Sequence, residues 1–523
     1  MPNILEDLRL KRDDNLDVKS LSPARKIYLN VLFQGIMQVT STAIGLIIPK
    51  FILSAYGSEY NGIVAAITQF LAFIGILRLG VAGATRVALY KSLTSNDSYR
   101  TSGIIKATEN FMRRIAYIII AYIVFLMIFF PWYINSSYSW LEIATLVIAI
   151  GAGSFAEYYF GITYETLLAA SQLIFVSTGI RIILSLLNAL AIIILITDGY
   201  SIQTVKVATA LIFAISPIFL SYYVPRLFHI IKNVEPDDSA LKQRYDAMAS
   251  SLANIVHENV AILTLTLLTN PLVVSVYAIY ALVTNGLRQI MRVFTTGMEG
   301  YFGALWAKGD IKGVQAGVAH YEFFIMCFVS ISYSCAYVLI LPFIELYTDG
   351  VHDVEYVLPL YAFFALLAEM MFCIRAPYLT LVQAAGKYKE TKQGSFVEAG
   401  INIVISVAGT LVWGIVGVAI GTLSANIFRT LQYARFIFKN MLPGSFSGII
   451  YKIFWVFINI IVSIYIAKMV FIKSIDSWVM FVMAGGITLL ISVSVLAVSS
   501  WLLWHNEFKW MLDRFIFRKL KRR

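Results

Sequence analysis

Charged residues are scarce in this chain, and their scarcity excludes a soluble protein. Asp, Glu, Lys and Arg make up 14% of its 523 residues and hydrophobic residues 59%, with a mean hydropathy of +0.77; soluble domains carry about 25% charged residues. The three cysteines, Cys327, Cys335 and Cys373, lie inside apolar segments, which argues against disulfides and a cysteine metal site. The histidines are scattered and no GxxxxGK[ST] phosphate loop is present. We therefore expect no metal, nucleotide or other cofactor.

Long apolar runs dominate the sequence. A bilayer core of about 30 Å needs roughly 20 apolar residues in a helix, and this criterion predicts fourteen spans. The spans begin near Ile27, Asn61, Ile115, Trp140, Leu173, Ile202, Met248, Leu272, Phe323, Val357, Val397, Val416, Ile449 and Trp478. The predicted fold class is an all-α polytopic membrane protein. Its loops are too short for a catalytic domain, so we expect no enzyme and no catalytic residues.

The loops alternate in charge. Lys and Arg cluster at both chain ends and in the loops after spans two, six, eight and ten, whereas the loop from Thr348 to Tyr356 is acidic. Because cytoplasmic loops keep positive charge, we expect both termini in the cytoplasm. The net charge of +11 is then explained by topology, and no nucleic-acid partner is expected.

The chain repeats parts of itself about 210 to 220 residues later. The pattern AExxFxI at 156–162 recurs at 368–374, and FVxxGIxIxxS at 175–185 recurs at 396–406. Two homologous helical halves around a central cavity are the layout of an alternating-access transporter. The predicted segments are a cytoplasmic N-terminal segment (1–26), an N-lobe of spans one to six (27–226), a linker (227–247), a C-lobe of spans seven to twelve (248–440), two added spans (441–503) and a basic cytoplasmic tail (504–523).

Arginines inside the spans are candidates for substrate binding, because ionisable residues are costly in a bilayer. Arg181 lies eight residues into the fifth span, about 12 Å from its cytoplasmic end at ~1.5 Å per residue. Its repeat counterpart is Asn402, so the charge is not part of the shared scaffold. This favours a place in the cavity over a structural ion pair.

Four further arginines have two equally open interpretations. Arg288 and Arg292 lie one turn apart on the eighth span, and Arg78 and Arg375 lie towards the cytoplasmic side of spans two and ten. Each either binds substrate or reaches the membrane interface by extending its side chain.

Acidic and amide residues form a second group of candidates. Glu157 and Glu369 occupy equivalent positions in the repeats; either they pair with arginines such as Arg181 and Arg375, or one carries a coupling proton. Two polar stripes share the four-residue spacing of one helix face: Asn30, Gln34 and Gln38 on span one, and Ser250, Asn254 and Glu258 on span seven. We interpret both stripes as cavity walls, the alternative being polar contacts between helices.

The run YGSEYNG at 56–62, followed by LGVAG at 79–83 and a basic inner loop, resembles the start of bacterial polysaccharide flippases of the O-antigen or capsule type. These belong to the multidrug/oligosaccharidyl-lipid/polysaccharide exporter superfamily, and the likeness in layout covers about residues 20 to 505. The resemblance implies a two-lobed transporter of fourteen helices. It would move an undecaprenyl-diphosphate-linked oligosaccharide from the inner to the outer leaflet for surface polysaccharide biosynthesis. It also implies a cationic cavity, which Arg181, Arg288 and Arg292 could supply.

Physical chemistry agrees with that substrate class. A lipid-linked diphosphate carries about two negative charges, and arginine binds phosphate through two parallel hydrogen bonds. The expected partners are the lipid-linked oligosaccharide and membrane lipids, with a polysaccharide polymerase and chain-length regulators as further candidates. A membrane glycosyltransferase would need larger outer loops, and the inner-loop motif of major-facilitator transporters is missing. The alternative is a drug or other amphiphile exporter of the same fold. Related drug exporters typically keep an acidic residue in the first span, and Ile27 to Leu53 has none.

Overall fold

A computed structural model gives the architecture. It describes residues 19, 21–73, 75, 85–86, 88–90, 92–95, 97–134, 136–231, 233–238, 259–444, 446–470 and 475–513, and within these residues it contains helices and no strand. Arg78, Ser250, Asn254 and Glu258 lie outside the described residues, as do the motif at 79–83, most of the predicted N-terminal segment and residues 514–523 of the basic tail.

The described chain is a succession of helices joined by short turns. The helices are α1 (Pro23–Ala72), α2 (Ser98–Tyr133), α3 (Trp140–Ala156), a π-helical turn (Glu157–Gly161), α4 (Ile162–Ala170), α5 (Ile174–Thr197), α6 (Ile202–Leu227), α7 (Asn259–Leu268), α8 (Pro271–Ala307), α9 (Ile311–Tyr347), α10 (Pro359–Ile374), α11 (Ala376–Ala384), α12 (Tyr388–Trp413), α13 (Ile415–Asn440), α14 (Phe446–Val470), α15 (Trp478–Leu503) and α16 (His505–Leu512).

Eleven helical segments of the described chain are long and apolar enough to cross a membrane. The all-α polytopic fold class is therefore confirmed. The helix α1 contains the first two predicted spans. Gly57, with a left-handed φ of 78°, interrupts the helix between them. The seventh predicted span is represented by the short α7, whose preceding residues lie outside the described part. The helix α13 coincides with the twelfth predicted span but falls outside the eleven. The count of fourteen stays a prediction.

Several helices begin at a residue that caps the free backbone N–H groups of the first turn. The Asn270 side chain accepts a hydrogen bond from the N–H of Val273 at the start of α8, where Pro271 occupies a position that needs no N–H donor. Asp310 and Ser477 cap α9 and α15 in the same way. These caps fix where the helices start, which a hydropathy window alone cannot do.

The chain divides into two compact units that cut across the sequence repeats. The first unit comprises residues 1–44, 77–125 and 148–248, and the second comprises 45–76, 126–147 and 249–523. An apolar cluster that includes Leu89, Ile104, Leu167 and Leu220 forms the core of the first unit. The lobe boundaries inferred from the repeats stay predictions.

In the second unit, small residues allow close helix packing. A Cβ atom at Gly417 of α13 would overlap the Gly409 carbonyl of α12, so both positions require glycine. The helix α9 packs against α14 and α15, where Phe323 stacks on Trp455 with ring centroids 5.9 Å apart. The two C-terminal spans are thereby attached to the second sequence repeat.

Candidate functional site

Arg181, on α5 in the first unit, is held by two carboxylates. Its Nη2 atom lies 3.2 Å from Oε1 of Glu157 and 3.1 Å from Oε1 of Glu165. Glu165 is buried, whereas Arg181 and Glu157 are half-exposed. Two carboxylates therefore share one guanidinium.

Glu157 opens the π-helical turn between α3 and α4. A π turn adds a residue to the helical repeat and is frequently found at functional sites. Gly161 ends this turn against Pro217 of α6, where a Cβ atom would come within 2.8 Å of the Pro217 Cβ. The turn therefore depends on glycine at its tightest contact, and Glu157 at its start faces Arg181.

The repeat counterpart of Glu157 is also paired with an arginine. Arg288 of α8 binds Glu369 of α10 through two parallel hydrogen bonds, Nε to Oε1 at 2.8 Å and Nη2 to Oε2 at 2.5 Å. The Arg288 side chain is 21% exposed and the Glu369 side chain 5%. The expected partnership of Glu369 with Arg375 is wrong. Glu369 lies within α10 and Arg375 lies directly after its last residue. A spacing of six residues places the two side chains about 120° apart around the helix axis, so they point in different directions.

Arg375 lies between α10 and α11 and joins a buried charge cluster. Its Nη1 donates to Oε1 of Glu398 at 2.5 Å, and the Nε of Arg429 lies 3.3 Å from the other Glu398 oxygen. The Phe372 ring has the guanidinium carbons of Arg288 and Arg375 each 4.5 Å from its centroid, a favourable cation–π arrangement. Arg288 is thus connected to a row of charges that extends into the interior of the second unit.

Sequence analysis missed three members of these clusters. Arg429 lies inside the twelfth predicted span, where the cost of ionisable residues in a bilayer could have pointed to it. Glu398 lies at the start of the eleventh predicted span and Glu165 lies between the fourth and the fifth, where that cost gives no signal. Arg429 is buried and donates hydrogen bonds to the Thr391 carbonyl and to Ser395.

Two residues of the polar stripe on α1, Asn30 and Gln34, form hydrogen bonds with residues at or just before α5. The Asn30 side chain donates to the Gln172 carbonyl and accepts from the Phe175 N–H, both at 2.9 Å, and Gln34 donates to Thr178 at 3.3 Å. Asn30 thereby supports the turn before α5, where Gln172 has a left-handed φ of 61°.

Two further candidates, Gln38 and Arg292, lie on α1 and α8. Gln38 donates to Thr42 on its own helix at 3.3 Å, and Arg292 is exposed on α8. A role in substrate binding stays a prediction for Gln34, Gln38 and Arg292.

A polar cluster within the second unit joins the two sequence repeats; Ser58, Asn61, Ser275 and Tyr356 are buried, and Asp353 is exposed. Asp353 accepts a hydrogen bond from the Ser58 N–H at 2.7 Å and another from the Ser58 hydroxyl. The Tyr356 hydroxyl donates to Ser58 Oγ at 2.7 Å and lies 2.8 Å from Ser275 Oγ, which accepts from Asn61 at 2.8 Å. Burial raises the pKa of Tyr356 above its ordinary value, so the phenol keeps its proton.

The backbone approaches closely at the same place. Gly57 takes the left-handed conformation that turns the chain into Ser58, and a Cβ at Gly62 would overlap the Pro271 carbonyl. We call Ser58, Asn61, Ser275, Asp353 and Tyr356 the inter-repeat cluster. Sequence analysis singled out the run at 56–62 and the acidic loop, but not their contact.

Comparison with solved structures identifies the architecture. The lipid II flippase MurJ, in an inward closed conformation, aligns over 91% of this chain and 99% of its own, with a TM-score of 0.68 and 14% identity. A point mutant of the Vibrio cholerae MATE transporter VcmN aligns over 80% and 98%, with a TM-score of 0.56 and 16% identity. The MATE multidrug transporter DinF-BH aligns over 83% and 98%, with a TM-score of 0.56 and 13% identity. The chain has the MOP-superfamily fold.

The MOP fold is the one that the resemblance predicted, and that expectation is confirmed. Identities of this size show the fold alone, so the substrate is argued separately. No family model matches the chain, and no curated protein matches it. Within the described residues, the paired arginines and the inter-repeat cluster are the arrangements from which a function is argued below.

Proposed function

We propose that this multi-pass membrane protein is a flippase of the bacterial cytoplasmic membrane. It moves an undecaprenyl-diphosphate-linked oligosaccharide from the inner to the outer leaflet by alternating access, for surface polysaccharide biosynthesis. The observation that carries the proposal is Arg288, a partly exposed arginine well inside a membrane-spanning helix. Its guanidinium is already arranged for a bidentate oxyanion partner. The MOP fold, shared with a lipid II flippase, supports the same class of substrate.

The depth of Arg288 suits a lipid head group taken up from the cytoplasmic side. At about 1.5 Å per residue, it lies roughly 25 Å along α8 from Pro271. The charge distribution of the loops assigns the Pro271 end to the outside and both termini to the cytoplasm. In a bilayer core of about 30 Å, Arg288 then falls in the inner leaflet, where a diphosphate enters while the lipid tail stays in the bilayer.

The membrane potential supplies a driving force that needs no nucleotide. An interior-negative potential favours outward movement of an anion by about 2.3 kcal/mol per charge per 100 mV. Two phosphate charges therefore gain roughly 4 to 5 kcal/mol. This agrees with the lack of a phosphate-binding loop for ATP in the sequence.

The inter-repeat cluster supports alternating access. It joins the first sequence repeat to the second through buried and partly buried hydrogen bonds, at the side that the loop charges assign to the outside. A transporter must break such a contact to release substrate on that side. A few hydrogen bonds stabilise the closed state by an amount small enough for substrate binding to shift the equilibrium towards the open state.

The test is transfer of a fluorescent undecaprenyl-diphosphate oligosaccharide across proteoliposome membranes. Wild type is compared with Arg288→Ala, Arg181→Ala and the control Arg226→Ala, which removes an exposed arginine from the end of α6. We expect transfer by wild type and Arg226→Ala, and loss in Arg288→Ala at equal protein insertion. Equal transfer by all four proteins would remove the arginines from the mechanism.

The second candidate is export of a drug or other amphiphile, because MATE multidrug transporters share the fold. Failure of wild type to move any diphosphate-linked lipid, together with efflux of a cationic dye, would favour it. In the host, deletion of the gene would then cause drug sensitivity and leave the surface glycan intact. A polysaccharide polymerase and chain-length regulators remain proposed partners of the flippase, to be sought by co-purification.

A further inference from the structure

The interaction between Arg288 and Glu369 has the geometry that a phosphate would adopt on the same arginine. Two parallel N–H to oxygen bonds, at 2.8 and 2.5 Å, join the guanidinium edge to both carboxylate oxygens. Phosphate groups bind arginine through the same planar pair of donors. A carboxylate and a phosphate therefore compete for one set of N–H groups.

Exposure is unequal within the pair. The Arg288 side chain is 21% exposed and that of Glu369 only 5%. Arg288 is thus the more accessible partner of the pair, and an anion that takes the place of Glu369 requires the carboxylate to move away from the guanidinium. Tyr333 and Cys373 are buried and hydrogen-bonded to each other, and Cys373 lies one helical turn after Glu369 on α10.

The charges behind the pair favour an anion. The row contains two glutamates and three arginines: Glu369 binds Arg288, and Glu398 binds both Arg375 and Arg429. These five side chains together carry one more positive than negative charge. The Phe372 ring separates the first two guanidinium groups at 4.5 Å from each. When a phosphate takes the place of Glu369 on Arg288, the displaced carboxylate still has positive charge nearby.

The arginine of the first unit has the opposite balance. Arg181 contacts two carboxylates, Glu157 and Glu165, and that group carries one negative charge in excess. An incoming phosphate would have to displace two carboxylates from that guanidinium instead of one. The two arginines are therefore not equivalent, and Arg288 is the one suited to anion exchange.

We propose that Glu369 is a built-in competitor for the substrate's phosphate on Arg288. Substrate binding displaces Glu369 from the guanidinium, and the return of Glu369 expels the phosphate. The inference rests on the proposed flippase function and adds a specificity-determining residue to it. A permanent arginine site would bind the diphosphate too tightly to release it, and the competitor keeps affinity low enough for turnover.

The test compares binding with transport in the full-length protein. Inorganic pyrophosphate is titrated into detergent-solubilised wild type, Glu369→Gln, Arg288→Gln and Glu299→Gln by calorimetry. The control Glu299→Gln removes an equal charge from an exposed position on the same helix α8. Glutamine keeps the size of Glu369 but gives up its charge, and hydrogen bonds to charged groups contribute about 1.5 to 3 kcal/mol.

The expected gain in affinity for Glu369→Gln is therefore about 10- to 100-fold. Arg288→Gln should lose binding, and Glu299→Gln should match wild type. In proteoliposomes Glu369→Gln should flip the lipid-linked oligosaccharide more slowly than wild type, because release has become slow. A merely structural role for Glu369 would lower binding and transport together.

Two results would overturn the inference: pyrophosphate binding that does not depend on Arg288, or a folded Glu369→Gln that binds no more tightly than wild type. Glu369→Asp provides a second variant if glutamine prevents folding. Its shorter carboxylate forms a weaker bidentate contact, and it should bind pyrophosphate more tightly than wild type. Failure of wild type to flip the lipid, with Arg288-dependent pyrophosphate binding intact and tightened by Glu369→Gln, would overturn the proposed flippase function and leave the exchange standing.

Discussion

Replacing Asp353 by alanine should open the inter-repeat cluster. Asp353 accepts two hydrogen bonds from Ser58, one of them from its backbone N–H at 2.7 Å. Ser58 is fully buried, so its N–H would lose its acceptor. Leaving a buried donor unpaired costs about 1 to 3 kcal/mol, and a bond to a charged acceptor contributes about 1.5 to 3 kcal/mol. We therefore expect the closed contact to weaken by about 2 to 3 kcal/mol. This corresponds to a shift of roughly 30- to 150-fold in the equilibrium between closed and open states.

The shift can be measured by thiol accessibility. Ile63, with 0% of its surface exposed, is replaced by cysteine in a chain whose Cys327, Cys335 and Cys373 have been replaced by serine. Right-side-out vesicles are treated with a membrane-impermeant maleimide, and the labelling rate is compared with and without Asp353→Ala. The rate should rise at least about tenfold, because labelling follows the population of the open state.

Asp349→Ala is the matched control, because it removes an exposed acid from the same loop. Equal labelling rates in the Asp353→Ala and Asp349→Ala proteins would refute the reasoning. The inter-repeat cluster would then have no part in closing the outer side.

Three further perturbations test the packing and the ion pairs. Gly417→Ala should destabilise the protein by about 1 to 3 kcal/mol through overpacking against α12. Its thermal midpoint in detergent should fall while that of Gly400→Ala, whose Cβ meets no atom within 4 Å, should not. Glu322→Gln should cost about 3 to 5 kcal/mol because it leaves Lys452, 2.6 Å away, without its buried counter-charge. Adding Lys452→Met should recover much of that loss in the same melting assay, and no recovery would contradict the pairing. Arg181→Ala should lower the thermal midpoint more than Glu165→Gln, since only the former leaves two carboxylates together; the reverse order would be inconsistent with the charge balance.

The fold could be predicted from the sequence because a membrane makes hydropathy decisive. Runs of about 20 apolar residues admit few structures other than helices in a bilayer, and the repeated pattern at 156–162 and 368–374 indicated two related halves. The same pattern marks an interruption of the helix in both copies: the π turn begins at Glu157, and α10 ends at Ile374. A hydropathy profile carries no sign of these interruptions, because the apolar run continues through them.

The candidate site could be predicted only one residue at a time. The cost of charge in a bilayer pointed to Arg181 and Arg288, but the partners of these arginines depend on which helices pack together. Glu369 binds an arginine about eighty residues earlier in the chain rather than one six residues later. The inter-repeat cluster was beyond prediction for the same reason: Ser58, Ser275 and Asp353 come from distant parts of the chain, and each alone is an ordinary polar residue.

The glutamates at the repeated position have different arginine partners, so mutation can change the charge around one of them without affecting the other. Glu157 and Glu369 occupy the same position of the repeat, but Arg181, which contacts Glu157, corresponds to Asn402, and Glu369 binds Arg288 on another helix. Each half therefore pairs its copy of the glutamate with an arginine from a different place in the repeat. A homodimer assembled from either half alone would reproduce the helices without the charge balance of the other half. Mutation can then adjust the affinity of one half for an anion without altering the scaffold that both halves share.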